Sequence, residues 1–339
     1  MGTQVMLFDS LEVAPSPPPA IVTAGAGITV STKPVFIATV DGKSYYLDLD
    51  PKSPTFNQAI WKVPDIRDAV TAEPGYQIVA SDYSQIEIRI MAFLSKDPWL
   101  IAAINSKKDM HCYMATDVFG EEMGFTYEDI AAATKGDDCK SHPRHKELND
   151  VRNNIKRTSF GIPYGVSPIG LSYLINKDEK FAAMLMARFF GKAKELKRWL
   201  ENQGDFAIRY GYTSTLLGRK RFYPIPSPED PRAEEMLSQI RRWSGNHPVQ
   251  GSNADMLKLA LNKFYLDVRD GVYTNLAKWG TRLLFVVHDE IVATCETEHA
   301  PKVKVILENA MDWAYERLIG SNNVYHKSKA VIADVWAKA

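Results

Sequence analysis

The chain has 339 residues with 41 Lys or Arg and 41 Asp or Glu, so its formal net charge is +0 at pH 7. Its 45% apolar and 24% charged residues are the proportions of a soluble globular protein. No segment is apolar enough to span a bilayer and no signal-peptide pattern is present, which argues against a membrane or secreted protein. Three widely spaced cysteines predict no disulfide framework, so we expect a cytoplasmic protein.

A net charge of zero does not exclude a nucleic-acid-binding protein, because clustering of charge on one face decides binding. Basic residues do cluster, over 140–157, 188–198, 219–221 and 241–242. Taken singly, each cluster is better interpreted as the solvated face of a helix.

The predicted elements combine short β-rich runs with amphipathic helices. In chain order they are a flexible Pro- and Gly-rich leader (1–34), a hairpin (35–49), a strand (76–80) that leads into a helix, a helical region (99–133), helices over 148–164, 179–209, 232–243 and 251–269, a strand–turn–strand (285–295), a helix (300–318) and a strand (330–335). The pattern predicts an α+β fold, in which the strands form an antiparallel sheet and the helices group between them.

Two aspartates occupy positions that suit metal binding. Asp82 lies where a β-rich run ends and a helix begins, and Asp289 lies at the tip of the predicted hairpin "FVVHDEIVATC". Asp82 alone is equally well interpreted as a helix N-cap. Together, on adjacent strands, the two carboxylates would suit a pair of divalent cations about 4 Å apart, the arrangement used in phosphoryl transfer. Oxygen ligands favour magnesium or manganese over zinc.

The predicted helix over 148–164 carries two cations and then two aromatic rings, each four residues after the last: Arg152, Lys156, Phe160 and Tyr164. Residues at this spacing drift slowly around one broad face of a helix. Cations suit phosphates and flat rings suit a base and sugar, so the face fits a nucleoside triphosphate. Packing in the core is the alternative interpretation, but Arg and Lys are rarely core residues.

Three ordered segments resemble the polymerase motifs of the family A (polymerase I-like) DNA polymerases. "DYSQIEIR" resembles the first motif, "RNNIKRTSFGIPYG" the second and "VHDEIV" the third. Further similar segments are "DMH" at 109–111, "GYTSTLLGRKR" at 211–221, "NHPVQGSNAD" at 246–255 and Trp336. The resemblance covers roughly residues 60–339, and three motifs in this order are highly specific.

The resemblance implies a right-hand polymerase fold, with a palm built on an antiparallel sheet and helical fingers, that carries out template-directed 5′→3′ DNA synthesis. It also implies bacterial or phage-infected host cytoplasm as the location. Asp82 and Asp289 would hold two Mg²⁺ ions, for which Mn²⁺ is expected to substitute, and the Tyr83 carbonyl would be a further ligand. Glu290 would be a supporting catalytic carboxylate.

The resemblance assigns the other site residues to the nucleotide and to primer–template DNA. Lys156 would be catalytic, contacting the phosphates of the incoming dNTP and protonating the leaving group. The other nucleotide-binding residues would be Tyr83, Gln85, Glu87, His111, Arg152, Phe160 and Tyr164. The DNA-binding residues would be Arg242, Asn246, Gln250 and His288.

Glu87 separates two relatives that share this fold. In the DNA polymerases a glutamate at this place closes the space that a ribose 2′-hydroxyl would occupy, and single-subunit RNA polymerases lack it. Glu87 and Glu290 therefore favour deoxynucleotides over an RNA polymerase core, the alternative function. A non-catalytic DNA-binding subunit is a further alternative. Phe160, where some relatives carry tyrosine, predicts poor use of dideoxynucleotides.

Only 81 residues precede Asp82, which leaves no room for the thumb and exonuclease domains that family members carry before the first motif. The expected organisation is a leader (1–34), a hairpin and first palm part (35–100), fingers (101–210) and the remaining palm (211–339). This suggests the palm-and-fingers part of a split polymerase, with a thumb and exonuclease on a separate subunit. Pro163 is expected to kink or end the second-motif helix near Tyr164.

Overall fold

A computed structural model of the protein describes residues 35–40, 43–47, 59–61, 66–270, 278–320 and 324–337. The predicted leader over 1–34 lies outside these residues. The chain divides into two units, Met1–Val70 and Thr71–Ala339, so the boundary falls inside the segment expected to form the first part of the palm.

The first unit contains a small antiparallel sheet. Its elements are β1 (Val35–Val40), β2 (Lys43–Leu47), β3 (Ala59–Trp61) and a 3₁₀ turn (Ile66–Ala69). β1 pairs with β2 as the predicted hairpin, which is confirmed. β3 adds to the free edge of β2 and was not predicted, because a three-residue strand carries no clear period of its own.

The second unit contains the remaining strands and all the α-helices of the described residues. The strands are β4 (Tyr76–Asp82), β5 (Tyr212–Ser214), β6 (Lys220–Phe222), β7 (Arg282–Val287), β8 (Glu290–Glu296) and β9 (Lys329–Ala333). The helices are α1 (Ile86–Ser95), α2 (Pro98–Asn105), α3 (Met110–Ala115), α4 (Glu121–Met123), α5 (Tyr127–Thr134), α6 (His145–Gly161), α7 (Pro168–Ile175), α8 (Glu179–Lys192), α9 (Lys194–Tyr210), α10 (Ala233–Asp270) and α11 (Ala300–Leu318).

Four antiparallel strands in the order β7-β8-β4-β9 form the main sheet. β4 is central, and its apolar run Ile78-Val79-Ala80 is fully buried, as expected of a strand covered on both faces. α11 packs against β4, β8 and β9 with a buried stripe that includes Val303, Leu307 and Met311. The predicted α+β fold is therefore confirmed.

α10 corrects the prediction of two helices over 232–243 and 251–269. It is one helix of 38 residues with Pro248 inside it. Proline removes a backbone donor and clashes with the preceding turn, so sequence reasoning placed a break there. Val249, which follows the proline, is 0% exposed, and α10 packs along both α9 and α11. The stabilisation from burying side chains along the whole helix exceeds the local free-energy cost of the proline.

The helices of residues 98–210 are shorter and more numerous than predicted. The region over 99–133 is four short helices with a π-helical stretch, Thr116–Gly120, between the second and third of them. The predicted helix over 179–209 is two helices that meet at Ala193, and α7 was not predicted. α6 ends at Gly161 and continues as a 3₁₀ turn, Ile162–Tyr164, so the expected effect of Pro163 is confirmed.

None of the helices among the described residues combines the length and the apolar character needed to cross a membrane.

Candidate active site

Asp82 and Asp289 lie side by side at one end of the main sheet. Asp82 is the last residue of β4, and its partner in the β4–β8 register is Glu290. Asp289 belongs to the two-residue turn between β7 and β8, in which His288 adopts a left-handed φ of 54°. The Tyr83 amide donates a 3.3 Å hydrogen bond to the Asp289 carbonyl, and the Asp82 side chain interacts with the Asp289 carboxyl. Strand pairing thus joins residues that are distant in sequence.

The electrostatics of this pair favour a cation. Burial raises the pKa of the Asp289 carboxyl above its usual range, and the neighbouring Glu290 carboxylate adds to the rise. Tyr83 is 1% exposed and its hydroxyl donates to the Met311 carbonyl at 2.8 Å, so this residue meets the cleft through its main chain. Asp82, Asp289 and the Tyr83 main chain offer oxygen donors, and such a set fits magnesium or manganese.

Glu290 has a different environment from the two aspartates. Its side chain is 4% exposed and accepts a 2.9 Å hydrogen bond from the Trp336 indole nitrogen. Glu290 does not line the cleft, whereas Asp82 and Asp289 do. The role of Glu290 as a supporting catalytic carboxylate stays a prediction.

A cleft of about 1150 Å³ opens in front of the aspartates. It is lined by residues of β4 and α1, of α2 and the loop after it, of α6 and the 3₁₀ turn after it, of α10, of the β7–β8 turn, and of the start of β9 with the segment before it. Eight predicted site residues line it in addition to the aspartates: Tyr83, Gln85, Glu87, Lys156, Phe160, Tyr164, Gln250 and His288.

Two of the predicted phosphate-binding residues do not line the cleft in this structure. Arg152 donates hydrogen bonds to the Asp109 carboxylate at 3.2 and 2.9 Å, and Lys135 contacts the same carboxylate at 2.7 Å. Asp109 also caps α3 by accepting from the Cys112 amide at 2.9 Å. These bonds hold the pKa of the Asp109 carboxyl well below its usual range despite its burial.

His111 is 0% exposed, and its ring centre lies 5.9 Å from that of Phe160. Neither ring nitrogen has a hydrogen-bond partner within the described parts of the chain. Burial lowers the pKa of His111 to about 4, and the imidazole is therefore neutral at pH 7. The assignment of His111 and Arg152 to the nucleotide phosphates stays a prediction.

Three polar side chains from three elements that line the cleft contact one another. The Tyr164 hydroxyl donates to Glu87 at 3.1 Å, and the Gln250 amide reaches the same carboxylate at 3.4 Å and also contacts the Tyr164 hydroxyl. Burial and the Glu87 carboxylate raise the pKa of Tyr164. The contacts fix the Glu87 carboxylate within the cleft.

The predicted DNA-binding residues of α10 follow one another at four-residue spacing: Arg242, Asn246 and Gln250. Arg242 passes close to the glycine that ends the second motif. A Cβ at Gly165, whose φ is +64°, would meet the Arg242 side chain at 2.6 Å. Glycine is therefore required where the chain leaves α6 and crosses α10.

Several basic residues line the cleft that sequence reasoning did not assign: Arg89, Lys107, Lys108, Lys327 and Lys329. For the last two, the alternation "KSKA" before the final strand was an available signal. Their proximity to Asp82 depends on the order of strands in the sheet, which periodicity does not reveal.

A sequence model of DNA polymerase family A matches residues 58–338. The chain belongs to DNA polymerase family A. It is 31% identical over 256 residues to DNA polymerase I of Chloroflexus aurantiacus, covering 75% of this chain and 24% of that protein. It is 31% identical over 250 residues to the thermostable DNA polymerase I of Thermus aquaticus, covering 74% of this chain and 26% of that one. The chain therefore spans about a quarter of the length of these relatives.

The structure of this family A chain is similar to the POL domain of Pol1 from M. smegmatis in complex with DNA primer-template and dNTP. The TM-score is 0.65 with 26% identity, covering 88% of this chain and 49% of that one. The predicted palm and fingers architecture is confirmed by this similarity. Polymerases of the family use divalent metal ions, in agreement with the oxygen donors beside the cleft.

Proposed function

We propose that the chain catalyses template-directed 5′→3′ DNA synthesis by transferring nucleotides from dNTPs to a primer 3′-hydroxyl. The observation that carries the proposal is the pairing of Asp82 with Asp289 in a cleft whose other wall carries Lys156 and Phe160. Paired carboxylates opposite a cation and an aromatic ring suit a triphosphate and a flat base.

In the reaction, the primer 3′-oxygen forms a bond to the α-phosphorus of the dNTP while the bond from that phosphorus to the bridging oxygen breaks. The hydroxyl proton is lost to solvent, and Lys156 donates a proton to the departing pyrophosphate. Asp82, Asp289 and the Tyr83 carbonyl would hold two magnesium ions, or manganese in their place. When bound, these ions supply acidity at the 3′-hydroxyl and neutralise charge on the pyrophosphate.

The remaining residues orient the reactants in this proposal. Phe160 packs on the incoming sugar and base, and Glu87 excludes a 2′-hydroxyl from the space beside it. Gln250 and His288, together with Arg242 and Asn246, contact the primer–template. The hydrogen bond from Tyr164 to Glu87 supports a choice of deoxynucleotides, because it holds the excluding carboxylate in one position. A separate thumb and exonuclease subunit stays a prediction.

Primer extension with dNTPs, comparing the wild type with Asp289→Asn, tests the proposal. We expect the substitution to lower the single-turnover rate by about a thousandfold, since it removes a charge that the transition state requires. Asp138→Asn, the same change on an exposed residue outside the cleft, should leave the rate unchanged.

Full activity of Asp289→Asn would overturn the mechanism. A parallel reaction with NTPs identifies an RNA polymerase if extension is faster than with dNTPs. A folded wild-type chain that binds primer–template but extends it with neither substrate would instead be a non-catalytic DNA-binding subunit.

A further inference from the structure

The cleft has a basic wall on the side of Asp82 away from the β7–β8 turn. Lys329 is paired with Asp82 in the β4–β9 register, whereas Glu290 is paired with it on the opposite edge through β8. The wall is formed by four lysines that line the cleft, Lys107, Lys108, Lys327 and Lys329. Asp82 therefore has an acidic neighbour on one edge of β4 and a basic neighbour on the other, and of these two only Lys329 lines the cleft.

The main chain around Lys327 and Lys329 is held at several points by other elements. The Tyr325 amide donates to Asn105 at 2.8 Å, and the Arg89 guanidinium donates to the Tyr325 carbonyl. The Ser328 amide donates to Asp312 at 2.7 Å. A fixed backbone presents the lysine side chains to the cleft at low conformational cost.

The two lysines alternate with buried residues. Ser328 is 2% exposed and Ala330 is 3% exposed, whereas Lys327 and Lys329 are both exposed. Period-two alternation places both ammonium groups on one side of the segment. Lys327 interacts electrostatically with the Asp312 carboxyl, and within the described part of the chain neither lysine forms a salt bridge.

Lys107 is positioned beside them by an aromatic contact. Its φ of 57° is left-handed, and its ammonium lies 4.7 Å from the centre of the Tyr325 ring. Lys108 is less available, because it contacts Glu128 at 3.6 Å and lies over the Tyr127 ring. The exposed cations of the wall are thus brought together from two distant segments of the chain.

We propose that Lys327 and Lys329, with Lys107 beside them, bind inorganic pyrophosphate as it leaves the reaction. The proposal rests on the proposed function, which produces pyrophosphate next to Asp82. Several neighbouring ammonium groups, of which Lys327 and Lys329 form no salt bridge within the described residues, suit a compact, multiply charged anion. DNA is the less favoured ligand, because the residues proposed to contact it lie on α10 and the β7–β8 turn, and Lys329 lies across β4 from that turn.

Calorimetric titration with inorganic pyrophosphate tests the site directly. In EDTA at low salt, we expect Lys327→Ala/Lys329→Ala to bind pyrophosphate about tenfold more weakly than the wild type, since two charge contacts are lost. Lys327→Arg/Lys329→Arg should bind within about threefold of the wild type, because it retains both charges. Lys180→Ala/Lys194→Ala, which removes two exposed lysines outside the cleft, is the matched control.

A second measurement compares primer–template affinity in the same variants by fluorescence anisotropy. We expect the alanine pair to bind DNA like the wild type and to be inhibited by pyrophosphate at about tenfold higher concentration during extension. Unchanged pyrophosphate binding, or an equal loss of DNA affinity, would overturn the proposal.

The two proposals fail in different ways. If pyrophosphate binding depends on the lysines but the chain does not extend primers, the proposed function is refuted and the proposed pyrophosphate site is supported. If the chain extends primers but the alanine pair binds pyrophosphate as the wild type does, only the proposed pyrophosphate site is refuted.

Discussion

The indole nitrogen of Trp336 donates a 2.9 Å hydrogen bond to the buried carboxylate of Glu290. Glu290 is paired in register with Asp82, so a neutral donor from the end of the sheet holds a carboxylate directly behind the candidate metal site. A carboxylate that is buried without such donors is costly, and the bond lowers that cost.

Trp336→Phe should destabilise the fold by about 1–3 kcal/mol, because it removes a donor from a buried charged acceptor. The ring contact with Phe285, at 4.9 Å between centres, is largely retained. Denaturant unfolding monitored by far-UV circular dichroism measures the free energy of unfolding. Trp313→Phe, the same change at a residue that is 41% exposed, is the control, and equal losses in both variants would contradict the prediction.

His326 should make the free energy of unfolding depend on pH. It is stacked on Tyr315 with 4.6 Å between ring centres, and burial lowers its pKa to about 3. Between that value and the usual pKa of about 6.5, the unfolded chain binds more protons, so stability falls as pH falls. This residue alone should lower the free energy of unfolding by about 2 kcal/mol from pH 7 to pH 5.

His326→Phe keeps a ring in the stack and should remove that part of the acid sensitivity. Denaturant titrations at pH 7 and pH 5 give the loss of unfolding free energy between the two pH values, which is compared between the variant and the wild type. Acid sensitivity from His111, whose pKa is also lowered, should remain in both proteins. An identical loss of stability in both proteins would show that His326 is not buried and neutral.

Glu87→Ala should weaken the preference for dNTPs over NTPs by about a hundredfold, since it opens the space beside the sugar. Tyr164→Phe retains the carboxylate but removes the hydroxyl that donates to it at 3.1 Å, so its effect should be smaller. Single-nucleotide incorporation with paired dNTP and NTP substrates gives both ratios of kcat/KM. A larger effect of Tyr164→Phe would assign the discrimination to Tyr164.

Phe160→Tyr should raise the use of dideoxynucleotides by about a hundredfold or more, because its hydroxyl supplies a polar group where the substrate lacks its 3′-hydroxyl. Competition between ddNTP and dNTP in primer extension measures the ratio. Phe181→Tyr, on α8 outside the cleft, is the matched control. Equal use of terminators and normal substrates by the wild type would contradict the assignment of Phe160.

Sequence patterns over a few residues predicted those site residues that are placed by a single strand end, a single turn or a single helix face. Asp82 follows a buried apolar strand, Asp289 lies in a two-residue turn, and Lys156 and Phe160 share a helix face. Each of these placements depends on residues within a few positions along the chain. The three motifs that resemble the family indicate that these residues belong to one site.

The features that the sequence did not reveal share a different cause, which is contact between residues far apart in the chain. Arg152 contacts Asp109, 43 residues away, which no periodicity reveals, and its assignment to the nucleotide phosphates stays a prediction. Pro248 was read as a helix break, but burial on two sides keeps α10 continuous. Lys327 and Lys329 line the cleft only because β9 pairs with β4.

The position of β4 between β8 and β9 has a consequence for synthesis of the chain. Ser81 and Lys329, which are joined by a 3.2 Å hydrogen bond, are 248 residues apart. During translation, β4, which carries Asp82, therefore cannot pair with β8 or β9 until nearly all of the intervening residues have been synthesised. Pairing over such separations is slow, and an unpaired central strand is prone to aggregate. Folding yield in the cell should consequently depend on how quickly residues 290–333 are completed.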